Sequence, residues 1–171
     1  EIYKVGTIAR ILRLLKLPDG RVKALVQGVV KAKIVRYVRK RSFYRVSIEP
    51  IYETPVKKVD IKAEALMRNV REQSEKILEL RGELTGDVGS ILEGIEEPGK
   101  LADLVASSIR LKIDQSQALL EILDPAKRLQ KVNNMLTREL ELSAMQAKIQ
   151  SSVRDEISKS QRDYFLREQV R

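Results

Sequence analysis

The sequence predicts an α+β fold: a truncated antiparallel β subdomain, read as a partial barrel-like sheet, then a helical bundle that ends in a long helix. Three observations predict it. Apolar residues alternate with polar ones up to residue 48, the period lengthens to 3.6 beyond residue 58, and neither Gly nor Pro occurs in residues 126–171. The expected divisions are a partial β subdomain over 1–50, a linker over 51–58, a helical bundle over 59–123 and a long protruding, coiled-coil-forming helix over 124–171.

The β region opens with Val5, Ile8 and Ile11 set among Lys4, Arg10 and Arg13. Leu17-Pro18-Asp19-Gly20-Arg21 then supplies turn chemistry, because glycine has no Cβ to clash where φ is positive. Val22, Ala24 and Val26 begin a second strand that resumes at Val29, Val30, Ala32 and Ile34, and Gly28 between them marks a bulge or corner. A third strand is expected over 43–48, where Tyr44, Val46 and Ile48 alternate with Arg45 and Ser47. Three strands leave unpaired edges, so the sheet is expected to be incomplete. Pro50 and Pro55 bracket the linker, since proline fixes φ and donates no hydrogen bond.

Beyond the linker, Ala63, Leu66, Met67, Val70, Ser74, Ile77 and Leu78 form one stripe, with Arg68, Arg71, Glu72, Glu75 and Lys76 opposite. A break over 82–86, a short helix near 88–92, a loop over 94–99 and helices over 101–109 and 115–123 complete the bundle. Asp124-Pro125 joins a capping residue to a first-turn proline, which marks a helix start. The 46 residues that follow span about 69 Å as one helix. Leu142, Met145, Ile149, Val153, Ile157 and Tyr164 make its apolar stripe, a candidate contact for another helix or a partner. Their spacing drifts from a strict heptad, so the stripe does not specify a two-stranded zipper.

Charge follows the same divisions. Residues 1–58 hold 15 Lys/Arg against 4 Asp/Glu, a balance of +11; residues 59–123 balance at −5 and residues 124–171 at +3. Cysteine and histidine are absent, which excludes thiol nucleophiles, disulfides, zinc fingers and any Ser-His-Asp triad. No run approaches the roughly 20 apolar residues of a membrane span. The chain starts at Glu1 without a signal-type stretch, so it reads as a fragment, and without cysteine a reducing cytosol is the default compartment.

Candidate chemistry is sparse. Residues 94–101 match the spacing of a phosphate-binding loop until Leu101 takes the place of the Mg²⁺-holding Ser/Thr, while Glu96 and Glu97 repel phosphate. Ser107, Ser108, Ser151 and Ser152 lie in amphipathic helices, and no serine sits in a Gly-flanked elbow. Asp60, Glu64, Glu72, Glu75, Glu79 and Glu83 recur at helical spacing as a solvated face. The expectation is therefore no catalytic residue, no cofactor and no metal.

One cluster suggests binding: Arg36, Tyr37, Arg39, Lys40, Arg41, Phe43, Tyr44 and Arg45. Its cations can neutralise phosphates and its rings can stack on bases, so a polyanion or a partner protein could contact it. The plainer alternative is a charged hairpin tip that guards an edge strand.

Several runs resemble the N-terminal region of the Lon proteases. Residues 5–11 (Val-Gly-Thr-Ile-Ala-Arg-Ile), 14–20 (Leu-Leu-Lys-Leu-Pro-Asp-Gly) and 26–28 (Val-Gln-Gly) are similar to that family's β domain. Leu101-Ala102-Asp103, residues 117–120, Arg128-Leu129 and Glu139-Leu140-Glu141-Leu142 resemble its helical region, and residues 164–169 the end of its long helix. The resemblance implies a hexameric, ATP-driven cytoplasmic serine protease of unfolded, damaged and regulatory proteins. Its ATPase module, with ATP and magnesium, and its Ser–Lys peptidase module would follow this segment. The chain's implied share is non-catalytic substrate recognition and positioning. Such β domains begin further upstream, which implies missing opening strands and room for self-association. The alternatives are a nucleic-acid-binding module using the basic β region, DNA being the secondary partner, and an architectural coiled-coil domain.

Overall fold

A computed structural model describes residues 2–40 and 42–170, with Arg39 and Lys40 described by backbone alone. The elements are β1 (Val5–Lys16), β2 (Val22–Lys40), β3 (Tyr44–Ile51), α1 (Ile61–Arg81), α2 (Gly86–Glu93), α3 (Pro98–Ser108), α4 (Ile113–Glu121) and α5 (Pro125–Gln169). Their contacts divide the chain into two units, Glu1–Val56 with Leu111–Asp124 and Lys57–Arg110 with Pro125–Arg171.

The first unit is a three-stranded antiparallel sheet in the order β1-β2-β3, with α4. The turn between β1 and β2 forms where the sequence places it: Gly20 has φ +83°, its N–H donates to Leu17 O, and the Arg21 N–H donates to Asp19 Oδ1 at 3.0 Å. Ile8 pairs with Val30 and Ala9 with Gly28, which leaves Val29 as the extra residue of a bulge beside that glycine. A Cβ at position 28 would lie 3.4 Å from Thr7 Cγ2, so glycine also allows the close approach there.

β2 is long enough to carry a strand on each half. β1 pairs with its residues 22–33 and β3 with its residues 31–40, so the sheet is three strands wide only at Lys31, Ala32 and Lys33. Ala32, in that overlap, is the buried residue of the sheet. On either side the sheet thins to a two-stranded ribbon, an arrangement that is marginal in water by itself.

Two boundaries differ from the expected ones. β3, expected to end at residue 48, continues through Pro50, which pairs with Ala32, to Ile51, the first residue of the expected linker. β3 is an edge strand, and an edge tolerates a residue with no N–H because its outer side has no acceptor to satisfy. The second difference concerns α4, expected in the bundle over 59–123. It groups with the sheet: Leu119 is buried, and Gln117 Nε2 donates to Val5 O at 3.0 Å. Amphipathic spacing shows that a helix has a partner but not which one it covers.

The second unit packs α1 and α3 against the first half of α5, with α2 set against α1. Met67, Val70 and Ile77 of α1, Leu101, Ala102 and Val105 of α3, and Leu129, Val132 and Leu136 of α5 form its core. Asp60 caps α1, its Oδ1 accepting the Ala63 N–H at 2.7 Å. Gly82 ends the helix at φ +69°, where its own N–H donates to Glu79 O and the Glu83 N–H to Leu78 O. Arg71, expected on the solvated face of α1, turns inward instead. Its guanidinium donates to Leu92 O at 3.0 Å, which also accepts the Ile95 N–H, and to Ile95 O at 2.7 Å, and so ties α1 to the end of α2. Past Leu136 no residue of α5 is buried, although Thr137 and Glu139 still bond Gln73 and Arg81 of α1, and the helix runs on to Gln169.

Candidate functional site

The basic aromatic cluster is brought together in part. Tyr37 lies opposite Val46, and Tyr44 stands two residues along the partner strand, a diagonal neighbour within reach of a ring. The two rings meet edge to face, with centroids 5.9 Å apart and planes at 67°. With Arg36 they line a half-open groove of about 370 Å³ whose other wall is Ile34 and Lys4. Lys4 was not in the expected cluster; the Ile34 N–H donates to its carbonyl at 2.7 Å, an extension of the β1–β2 ladder that strand periodicity alone does not reveal. Phe43 stays exposed just before β3, as does Arg45 on it. Nothing is assigned to the side chains of Arg39 and Lys40, and Arg41 lies outside the described residues.

A second surface comes from the β1–β2 ribbon. Residues directly paired in a ladder share a face, and alternate residues of a strand return to it. Ile11 pairs with Val26, Leu14 with Ala24 and Lys16 with Val22, so one face carries Ile11, Leu14, Val22, Ala24 and Val26, with Lys16 at its end. Arg10 pairs with Gln27, Arg13 with Leu25 and Leu15 with Lys23, which makes the opposite face the cationic one. The apolar face is open: Ile11 is 62% exposed and Val26 54%. Its alternation is visible in the sequence; only the register shows which side chains of the two strands share the face.

The α5 stripe is equally open. Leu142, Met145, Ile149, Val153, Ile157 and Tyr164 are each 48–65% exposed, and the Tyr164 hydroxyl donates to Glu168 one turn along the same helix. On the same helix, Ser143, Gln146 and Gln150 line a groove of about 390 Å³ with Leu80, Glu83 and Arg110.

The loop-like segment and the serines of α3 that the sequence singles out have structural places. Residues 94–97 form the loop from α2 to α3 and residues 98–101 the first turn of α3, where Pro98 and Leu101 are buried in the core and Lys100 Nζ holds Glu97 Oε1 at 2.6 Å. The hydroxyls of Ser107 and Ser108 donate back to helix carbonyls, Leu104 O and Val105 O. Among the described residues no group of acidic side chains could hold a metal ion, and no helix is long and apolar enough to cross a membrane.

The arrangement defines a binding domain: a narrow sheet with open apolar and cationic surfaces, and a helical unit that extends an unpartnered helix. Residues 1–138 match the family model of the ATP-dependent protease La (LON) substrate-binding domain. The chain is 64% identical over its whole length to the Lon protease of Desulfatibacillum aliphaticivorans, and 54% identical over 99% of it to that of Geobacter metallireducens. It spans about a fifth of those relatives, 21% of each. The N-terminal domain of the Mycobacterium avium complex Lon protease has the same fold, with a TM-score of 0.64 at 22% identity over 78% of this chain and 70% of that one. The chain belongs to the Lon substrate-binding domain family.

Proposed function

We propose that this chain captures loosened polypeptide for a Lon-type serine protease and positions it for ATP-driven modules encoded elsewhere in the parent. Those modules would supply the Ser–Lys peptidase and the ATP and magnesium chemistry, and the parent would be a cytoplasmic hexamer. One observation carries the reading: the open apolar face of the β1–β2 ribbon, with Ile11, Leu14, Val22 and Val26 side by side. A native protein buries its apolar side chains and an unfolded one displays them, so such a face discriminates by folding state rather than by sequence.

Magnitudes fix the kind of binding. Fully burying one such side chain contributes about 1.5–3 kcal/mol, and these four are already partly covered, so their shared contribution is about 3–6 kcal/mol. That range is centred near millimolar affinity before the losses of freedom on association. Single contacts are therefore weak, and useful capture rests on several copies acting together in the assembled parent. Fluorescence anisotropy with one protein in native and in reduced, carboxymethylated form tests the proposal. Binding of the unfolded form alone supports it; equal affinity for both forms defeats it.

A second reading rests on the Tyr37–Tyr44 groove, where Lys4 and Arg36 have no ion-pair partner among the described residues. Free cations beside aromatic rings suit a polyanion such as single-stranded DNA.

A further inference from the structure

The face of α5 that packs in the core does not end where the core ends. Leu129, Val132 and Leu136 are buried, and the same face continues through Glu139, Ser143, Gln146 and Gln150 at helical spacing. Glu139 is taken by an ion pair with Arg81 at the end of α1. Beyond that pair the face is polar, and it forms one wall of the groove that Glu83 and Arg110 close on the other side. Among the described residues, the side chains of Ser143, Gln146 and Gln150 have no hydrogen-bond partner. One position back on each turn stand Leu142, Met145 and Ile149, each 56% exposed. A row of amides thus runs beside a row of aliphatic side chains.

We infer that this groove binds the backbone of an extended polypeptide, with Gln146 and Gln150 as the hydrogen-bonding row. A primary amide carries both donors and an acceptor, which is the complement of a peptide unit. Gln146 and Gln150 are four residues apart, about 6 Å along the helix axis. An extended chain repeats every two residues, about 6.6–6.8 Å, so the two glutamines meet equivalent peptide units and leave its side chains to alternate against Leu142, Met145 and Ile149. A helical partner uses the apolar row alone, because its own peptide groups are already bonded within it. A native protein likewise has nearly all of its backbone groups paired. The groove selects for unpaired backbone, which only unfolded or extended chain offers, and it rests on the substrate-capture reading while using a different unit and different chemistry.

The experiment uses the whole 171-residue chain and two fluorescent peptides with the same side chains, one an ordinary amide and the other with alternate amides replaced by esters. The ester keeps the shape and removes the N–H donor. The wild type is expected to bind the amide peptide at least fivefold more tightly than the ester peptide, and Q146L/Q150L to bind both at the weaker level. Leucine is a good helix former at these exposed positions, and an unchanged circular dichroism spectrum shows that the variant is folded. Equal affinity of the wild type for both peptides overturns the inference, as does a Q146L/Q150L variant that keeps the preference. An ester-insensitive wild type that still rejects native protein leaves apolar capture standing and removes only the backbone row. A chain that binds neither peptide removes both.

Discussion

Arg128, 1% exposed at the start of α5, holds Asp103 of α3 at 2.9 Å from its Nε to Oδ1. Each residue belongs to a short run that resembles the Lon family, Arg128-Leu129 and Leu101-Ala102-Asp103, and the structure shows why those runs occur together. Leu101 and Leu129 are in the same core, and the ion pair ties their helices. The first unit repeats the pattern, where Gln117 of one such run bonds Val5 of another. Runs that are separate along the chain meet in space.

Replacing Asp103 by Ala removes the opposite charge beside a guanidinium that water barely reaches. The expected loss is about 1–3 kcal/mol of stability, read as a lower urea midpoint. Asp103→Glu, which keeps the charge, is expected to recover part of it.

Gly82→Ala isolates a backbone cost. The glycine ends α1 at φ +69° and a Cβ there meets nothing within 4 Å, so the penalty comes from the left-handed conformation alone. About 1–2 kcal/mol is expected, measured by thermal or urea unfolding. The same change at Gly6, which has neither positive φ nor a close neighbour, is expected to cost much less.

Removing residues 144–171 is expected to leave the urea midpoint of the helical unit nearly unchanged, because its buried α5 residues are Arg128, Leu129, Val132 and Leu136. Helical circular dichroism should fall with the length removed. Any self-association through Met145, Ile149, Val153, Ile157 and Tyr164 should be lost as well, which light scattering reads directly. A large fall in midpoint would show that the distal helix supports the core.

The polyanion reading has its own signature. If the groove binds single-stranded DNA, affinity falls steeply with salt, and Arg36→Glu lowers both the affinity and the salt slope. Binding that ignores salt, or survives the charge reversal, excludes Arg36 as a phosphate contact.

Local chemistry was legible wherever one residue decides the conformation. Gly20 and Asp19 gave the turn, Gly28 the bulge, Gly82 a helix end and Pro125 a helix start, since each acts through φ or capping within a few residues. Decisions that depend on distant partners were not. Pro50 reads as a strand breaker unless β3 is known to be an edge, and α4 has an apolar face with two possible destinations. Arg71 looks like a solvated cation until the end of α2 brings it two carbonyls. The candidate surfaces divide the same way. Tyr37, Tyr44 and Arg36 were visible as a basic aromatic run, whereas Lys4 joins them through a ladder and the open ribbon face emerges only from register.

The ribbon face carries the central claim, and photo-crosslinking from it is the direct measurement. A photoreactive residue placed at Val26, and another at Arg68 on the solvated side of α1, should be compared in the presence of an unfolded protein and of its native form. Capture by the ribbon predicts adducts from position 26 with the unfolded form and few from position 68 or with the native form. Equal yields from both positions, or adducts from position 26 that do not distinguish native from unfolded protein, would contradict it.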